Sequence, residues 1–156
     1  MFIATLVSAV VLVSCSKDEL EVPVYQSKGV FDSGVLILNE GNFNASDASI
    51  SFIPFDLSRV ENNVFSTLNS GLPLGDVAQS LTFSGDLAYI VVNNSNKIQI
   101  VNRYTLKKSG EISTGLSNPR YVSISNNKIF VTNWGSSSIT TDDYVAVYNQ
   151  SNNSFL

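Results

Sequence analysis

The side chains suited to covalent or acid–base chemistry are few, and one of them stands apart. Cys15 is the only cysteine among the 156 residues, and histidine is absent. The chain therefore lacks the commonest general base, the usual zinc ligand and any catalytic triad that depends on imidazole. The 13 acidic residues leave paired-carboxylate catalysis open, but no spacing singles out a pair. We therefore predict that the protein is not an enzyme and that it has neither a cofactor nor a bound metal.

Cys15 lies at the end of an apolar segment, and this position suits a different chemistry. Residues 1–14 carry no charge, and the chain becomes polar immediately after the cysteine. An apolar run of this length is typical of a signal-peptide core and is shorter than the ~20 residues that cross a bilayer. Leu12-Val13-Ser14-Cys15 resembles the bacterial lipobox, which implies cleavage before Cys15 and acylation of its thiol. The alternative is a buried N-terminal strand with a structural cysteine.

The charged residues after Cys15 bear on where the protein is displayed. Lys17, Asp18 and Glu19 resemble the export signal of Bacteroidota lipoproteins, in which a basic residue and two acids follow the acylated cysteine. The resemblance implies a lipid-anchored protein on the cell-surface side of the outer membrane, whereas a solvated linker is the alternative. We interpret residues 15–32 as the lipidated cysteine and an extended tether. Several acyl chains anchor a protein stably, since each buried methylene contributes ~0.8 kcal/mol and one chain is marginal.

An internal sequence repeat predicts the strands and loops that position the remaining polar residues. Residues 79–91 align without a gap with residues 120–132, at an offset of 41 residues. Apolar positions coincide in the two segments, and the pairs Gly85-Asp86 and Asn126-Asn127 occupy the same places, as hairpin turns would. Each unit is predicted to contain four short strands, A to D. The predicted units span about residues 34–70, 74–114 and 116–156.

Strand B of the middle unit is apolar on both faces over residues 88–91, so its sheet must be covered on both sides. Four-stranded units of ~40–45 residues with two buried faces are typical of β-propeller blades. We therefore predict an all-β fold, a partial β-propeller of about three blades over residues 33–156. The outermost faces, including Leu36, Phe52 and Val147 or their sheet neighbours, are expected to meet water.

Several motifs connect these units with known families. Phe130-Val131-Thr132-Asn133 closely matches the Tyr-Val-Thr-Asn signature of YVTN, or YncE-like surface-layer, propeller repeats. Residues 37–43, 74–80 and 89–95 are similar to the DUF5074 type of Bacteroidota surface lipoprotein. These families form seven-bladed rings. The resemblance therefore implies that this chain holds about three of the seven blades and is a truncated form of a longer protein. The alternative is that several copies associate to close a ring.

Blade geometry places the D–A and B–C loops on the same rim, and we expect a ligand to bind there. Asparagines in these loops are alternatively plain turn residues, Trp134 a cap on the blade core, and Arg120 a link between loop carbonyls. Asp142-Asp143 suggests a calcium site or a solvated pair. The candidate binding residues are Asn39, Glu40, Asn42, Asp76, Gln79, Asn93, Asn94, Arg120, Tyr121, Asn133 and Trp134.

The family resemblance implies a function that composition alone does not. Its propeller lipoproteins accompany TonB-dependent transporters, and some of them bind cobalamin, so we expect capture of a corrinoid-like small molecule for such a transporter. The alternative is an adhesion module that binds a protein or glycan, and a propeller lyase or hydrolase is the third candidate. Nucleic acid is not an expected partner, because 9 basic against 13 acidic residues give a net charge of −4.

Overall fold

This computed structural model describes residues 25–156 of the chain. They contain nine β-strands and one short helix, which loops connect. The predicted signal peptide, Cys15 and the Lys17-Asp18-Glu19 motif lie outside the described residues. No helix within residues 25–156 has the length and apolar character that crossing a membrane requires. The elements are β1 Gly34–Asn39, β2 Ser49–Pro54, α1 Val64–Leu68, β3 Ala78–Ser84, β4 Leu87–Val92, β5 Lys97–Asn102, β6 Lys108–Ile112, β7 Pro119–Ser125, β8 Lys128–Asn133 and β9 Tyr144–Asn149.

The strands form three antiparallel sheets, which we call the first (β1-β2), middle (β3-β4-β5-β6) and third (β7-β8-β9) sheets. The all-β class is confirmed, and the arrangement is that of a partial β-propeller. Only the middle sheet has the four predicted strands. In the other two units, a single β-bridge takes the place of the expected strand D. Phe52 pairs with Glu61 in the first unit, and Tyr148 pairs with Phe155 in the third. In the first unit the backbone turns at Leu57 and Asn63, whose positive φ angles of 57° and 55° interrupt an extended strand.

The sequence repeat is reproduced in backbone geometry. Gly85 has a φ of 56°, and Asn126 and Asn127 have φ angles of 50° and 56°, as tight hairpin turns require. A bulge interrupts the β3–β4 register at Gln79, and an equivalent bulge interrupts the β7–β8 register at Arg120. Because a bulge redirects the side chain of its extra residue, Gln79 and Arg120 occupy matching special positions in their units.

The two hydrophobic cores lie between neighbouring sheets, and β4 contributes to both. Ala88, Ile90 and Val92 belong to the core shared with the first sheet. Tyr89 and Val91 point the other way, into the core shared with the third sheet. Burying a large apolar side chain contributes ~1.5–3 kcal/mol, so the doubly apolar β4 stabilises both contacts. This is the arrangement that its sequence predicted.

Two of the residues expected on an outer face lie on an inner one. Phe52 is only 1% exposed and belongs to the core between the first and middle sheets, and Leu36 packs against the same core, so the prediction for these two residues is wrong. The ring of Phe31, in the same core, packs against Phe52 edge to face, with centroids 4.9 Å apart. The neighbouring residues do meet water, because Val35 on the first sheet is 51% exposed and Val145 on the third sheet is 56% exposed.

Candidate functional site

Backbone hydrogen bonds join the D–A and B–C loops along one edge of the sheets, which we call the rim. Ala48 N–H donates to the Gly75 carbonyl over 3.2 Å, and Ala78 N–H donates to the Glu40 carbonyl over 3.1 Å. Gly75 has a φ of 134°, and a Cβ placed there would lie 2.8 Å from Val92 Cγ1, so only glycine fits this close approach. The rim is thus a tightly connected surface.

Asp76 is the centre of a hydrogen-bonded cluster that joins three rim loops. Asp76 is only 7% exposed. Its carboxylate accepts the backbone N–H of Asn44 over 3.0 Å and the side-chain amide of Asn94 over 2.5 Å. Its own N–H donates to Ser95 Oγ over 2.9 Å. Of the predicted site residues, Asp76 and Asn94 therefore hold the rim together, while Asn44 completes the cluster and was not predicted.

Three of the predicted asparagines are also occupied by structural contacts. Asn93 is 8% exposed and donates to the Pro119 carbonyl over 3.0 Å. Asn133 is 2% exposed and accepts the Ser117 N–H over 3.0 Å. Asn39 donates to two serine hydroxyls of β2. Their side chains are therefore committed to loop and strand contacts, which agrees with the alternative that such asparagines shape turns.

Glu40, Asn42 and Gln79 lie on the rim without meeting in one cavity. The backbone N–H and the side-chain amide of Asn42 both donate to the Asp47 carboxylate, at 2.7 and 2.9 Å. These hydrogen bonds hold the pKa of Asp47 below its usual value. Glu40 is exposed, and Gln79 is half-buried at its bulge. These three residues therefore lie on the rim but do not form a binding site together.

The other three predicted residues, Arg120, Tyr121 and Trp134, come together with the buried Asn133 in one open cleft at the end of the third sheet. Arg120, Tyr121, Asn133 and Trp134 line it, and its volume is about 410 Å³. The Arg120 guanidinium lies 3.7 Å above the centre of the Trp134 ring. Trp134 is 56% exposed and Tyr121 is 59% exposed, so both rings present apolar surface to the cleft. We call this cavity the Arg120–Trp134 cleft.

Local structure explains why Arg120 and Trp134 meet. The β7 bulge redirects Arg120, and Trp134 follows β8 directly at the same end of the sheet. The backbone N–H of Trp134 donates to the Asn118 carbonyl over 3.2 Å, which connects the tryptophan to the D–A loop. Beyond it, the Ser136 N–H donates to the Asp142 carboxylate over 2.7 Å and closes the long loop. The ring and the cation are therefore held before any ligand arrives.

The residues of the opposite wall were not among the candidate ligand-binding residues, although Asp143 belongs to the pair considered as a calcium site. Asp143, Tyr144 and Val145 complete the lining together with Thr132. Burial and the nearby Asp142 carboxylate raise the pKa of Tyr144, whose hydroxyl donates to the Gly115 carbonyl over 3.2 Å. Asp143, Tyr144 and Val145 lie at the end of the long B–C loop or directly after it, and this position in the sequence could have indicated that they line a site.

The cleft combines one fixed cation, one carboxylate and two exposed aromatic surfaces. Such a set suits binding through stacking, cation–π contact and hydrogen bonds. Within residues 25–156, no three acidic or thiol side chains come together as a metal site would require. A larger cavity of about 500 Å³ lies beside α1, but its lining contains no basic side chain and its one aromatic residue, Phe65, is buried. The Arg120–Trp134 cleft is the stronger candidate site.

A comparison with family models gives a match over residues 33–155, to a family described as a domain of unknown function (DUF5074). The matched range contains the whole rim and the Arg120–Trp134 cleft. No curated protein matches the chain.

Proposed function

We propose that this chain, which belongs to the family described as a domain of unknown function (DUF5074), is a non-enzymatic ligand-binding protein. The proposed binding site is the Arg120–Trp134 cleft. The observation that carries the proposal is the preformed stack of the guanidinium on the tryptophan ring, 3.7 Å from its centre. Because the stack exists without a ligand, binding does not have to order these side chains, which reduces its entropic cost.

The lining points to a flat, amphipathic ligand with polar groups at its edge. Tyr121 and Trp134 offer exposed aromatic faces, while Arg120 supplies donors for carbonyl or acidic groups. A corrinoid has these features, with a broad ring system surrounded by amide side chains. We therefore propose a corrinoid as the ligand class, in line with the YncE-like and cobalamin-binding relatives that the sequence motifs suggest.

The proposed setting is the surface of a Bacteroidota outer membrane, where the protein would pass its ligand to a TonB-dependent transporter. Support for the anchor comes from the lipobox-like residues that end at Cys15 and from the charged motif after it. In this proposal the residues that follow Cys15 act as a tether, which would hold the folded domain and its cleft away from the bilayer. A non-enzymatic role is supported by the absence of histidine from the whole sequence.

Trp134 is the only tryptophan, so its fluorescence reports on the cleft alone. We propose to titrate the full chain, in nonionic detergent, with cyanocobalamin and to follow quenching of this emission. Arg120→Ala removes the guanidinium that would donate to ligand carbonyl or acidic groups and is expected to raise the Kd at least tenfold, since a hydrogen bond to a charged group contributes ~1.5–3 kcal/mol. Tyr121→Ala removes the second aromatic face and is expected to weaken binding similarly.

Arg103→Ala is the matched control. Its guanidinium also stacks on an aromatic ring, 4.2 Å from the centre of Phe83, but in a C–D loop at the opposite edge of the sheets. This variant should bind cyanocobalamin as the unmodified chain does. Calorimetry on the same samples separates binding from optical effects. Absence of saturable binding, or equal losses in Arg120→Ala and Arg103→Ala, would contradict the proposed site.

A further inference from the structure

The cavity beside α1, which we call the α1 cavity, is a second place where a small molecule fits. Its volume of about 500 Å³ lies within the ~300–1,000 Å³ that is usual for ligand sites. Its described lining comes from residues 46–49, at the end of the first B–C loop, and from residues 63–74, which contain α1 and lead towards β3. Neither Val35 nor Ile37, which mark the outer face of the first sheet, lines it. The cavity is therefore formed by the first unit and its connection to the middle sheet.

Hydrogen bonds hold the walls of the α1 cavity in place without a ligand. The Ala48 N–H donates to the Gly75 carbonyl over 3.2 Å, which connects the B–C loop to the segment after α1. The side-chain amide of Asn69 donates to the Leu106 carbonyl over 2.9 Å, which connects the end of α1 to the middle sheet. Because these segments are already fixed, binding does not have to order them, and this reduces its entropic cost.

Several polar side chains of the α1 cavity have no partner within the protein, unlike those of the rim. In residues 25–156, no hydrogen bond involves the side-chain amide of Asn63 or the hydroxyls of Ser66 and Thr67. Asp76 and Asn93, by contrast, are buried and bonded to neighbouring loops. Amide and hydroxyl side chains both donate and accept hydrogen bonds, so three such groups remain available to a ligand.

Apolar residues complete the lining of the α1 cavity. Phe65 and Leu74 are 1% and 2% exposed and belong to the core between the first and middle sheets. Pro73 is exposed beside them. A ligand in this cavity therefore meets apolar carbon surface as well as hydroxyl and amide groups.

The charge of the lining restricts the class of ligand. Among the described lining residues, Asp47 is the one charged side chain and none is basic. The Asp47 carboxylate accepts two hydrogen bonds from Asn42, at 2.7 and 2.9 Å, and its oxygens retain positions that can accept a ligand hydroxyl. An anionic ligand would meet this carboxylate without a compensating cation and would be repelled.

We propose that the α1 cavity binds a neutral saccharide unit. The hydroxyls of a sugar ring both donate and accept hydrogen bonds, its C–H groups suit an apolar surface, and the ring has no charge. These properties match the uncommitted amide and hydroxyl groups, the apolar residues and the absence of a basic group from the described lining. The site is separate from the Arg120–Trp134 cleft and does not depend on the ligand of that cleft.

Saturation-transfer difference NMR tests this proposal with defined probes. The full chain, in a polyoxyethylene detergent that contains no sugar, is titrated with the methyl glycosides of glucose, galactose, mannose, fucose, xylose and N-acetylglucosamine. At least one of these neutral probes should show saturable binding. The anionic methyl glucuronide should bind about tenfold more weakly than the tightest neutral probe, because Asp47 repels its carboxylate. The cationic methyl glucosaminide should not bind more tightly than that neutral probe.

Variants locate the sugar within the molecule. Asn63→Gly combined with Thr67→Ala removes two of the uncommitted polar groups, and glycine tolerates the φ of 55° at position 63. The Kd of the bound glycoside should rise about tenfold, since each lost hydrogen bond weakens binding several-fold. Ser66→Leu places a larger apolar side chain in the cavity and should abolish binding.

Asn127→Gly is the matched control, because Asn127 is also an exposed asparagine with a positive φ, 56°, but lies in the turn between β7 and β8. This variant should bind the glycoside as the unmodified chain does. Circular dichroism verifies that all variants keep their strands.

The proposal would be overturned if none of the neutral glycosides bound saturably, or if a charged probe bound most tightly. An unchanged Kd in the Asn63→Gly, Thr67→Ala variant would place the sugar elsewhere and would also overturn it. Arg120→Ala should leave glycoside binding unchanged, whereas a loss would move the sugar to the Arg120–Trp134 cleft and refute this site. Because the cyanocobalamin titration uses another probe and other variants, the failure of one proposal is distinguishable from the failure of the other.

Discussion

Replacing Asp76 with alanine is expected to loosen the rim and to lower the free energy of unfolding substantially. The Asp76 carboxylate is buried and accepts hydrogen bonds from the Asn44 backbone and the Asn94 side chain, which belong to two different loops. Alanine leaves both donors without their acceptor. The rim loops then lose the group that joins them, although the three sheets and both cores remain.

The magnitude follows from the charge and burial of the acceptor. A hydrogen bond to a charged group contributes ~1.5–3 kcal/mol, and the removed carboxylate no longer has to be desolvated. Two such bonds, reduced by that relief, give an expected loss of about 3 kcal/mol. Asp76→Asn keeps the shape but exchanges one acceptor oxygen for a donor, so its loss should fall between that of alanine and zero.

Urea denaturation followed by circular dichroism and Trp134 fluorescence measures this loss. Asp86→Ala is the matched control, because the Asp86 carboxylate also has a partner, Lys28 at 3.0 Å, but on side chains that are 62% and 58% exposed. Such a surface ion pair contributes little, and the control should match the unmodified chain. If Asp76→Ala were no less stable than Asp86→Ala, the assignment of Asp76 as the centre of the rim would be wrong.

Three further predictions concern ionisation and the N-terminal motifs. Burial, with a smaller effect of Tyr144, raises the pKa of Tyr148 to about 12 from 10.0. The folded state therefore keeps this proton more tightly, so stability falls as pH rises from about 10 to 12, and Tyr148→Phe should reduce that fall in urea titrations. Cys15→Ser should abolish incorporation of a fatty-acid analogue, because serine forms no thioether; a labelled variant would contradict lipidation. Alanines in place of Lys17-Asp18-Glu19 should protect the protein from protease added to intact cells, and unchanged digestion would show that the motif is only a linker.

Repeated local patterns are the part of the fold that was predictable from sequence. In the hairpin turns at Gly85-Asp86 and Asn126-Asn127, Gly85 and both asparagines have the positive φ angles that their residue types favour. The doubly apolar β4 lies between two cores, as its composition requires. Both features depend on neighbours within a few residues or on burial that any packing must provide. Strand D of the first unit was not predictable in this way, since a single bridge and a turn replace it.

The candidate site, too, was only partly predictable from the sequence. Residue type indicated Arg120 and Trp134, but not that one would stack on the other. The stack needs a bulge in β7 and the first residue after β8 to reach the same point. Asp76, Asn93 and Asn133 looked equally suited to a ligand, yet each is buried and bonded to the protein itself. A polar rim residue is free to bind a ligand only if no neighbouring loop uses its hydrogen bonds.

The order of charges and apolar residues by itself determined an all-β chain of repeated units, because hydrophobic alternation and turn residues act locally. It also showed that these 156 residues contain no histidine. Only the tertiary structure decided which rim side chains remain available, because their hydrogen-bond partners come from loops up to 50 residues away, as for Asn94 and Asn44. The same long-range packing covered Phe52 while leaving Val35 and Val145 in water.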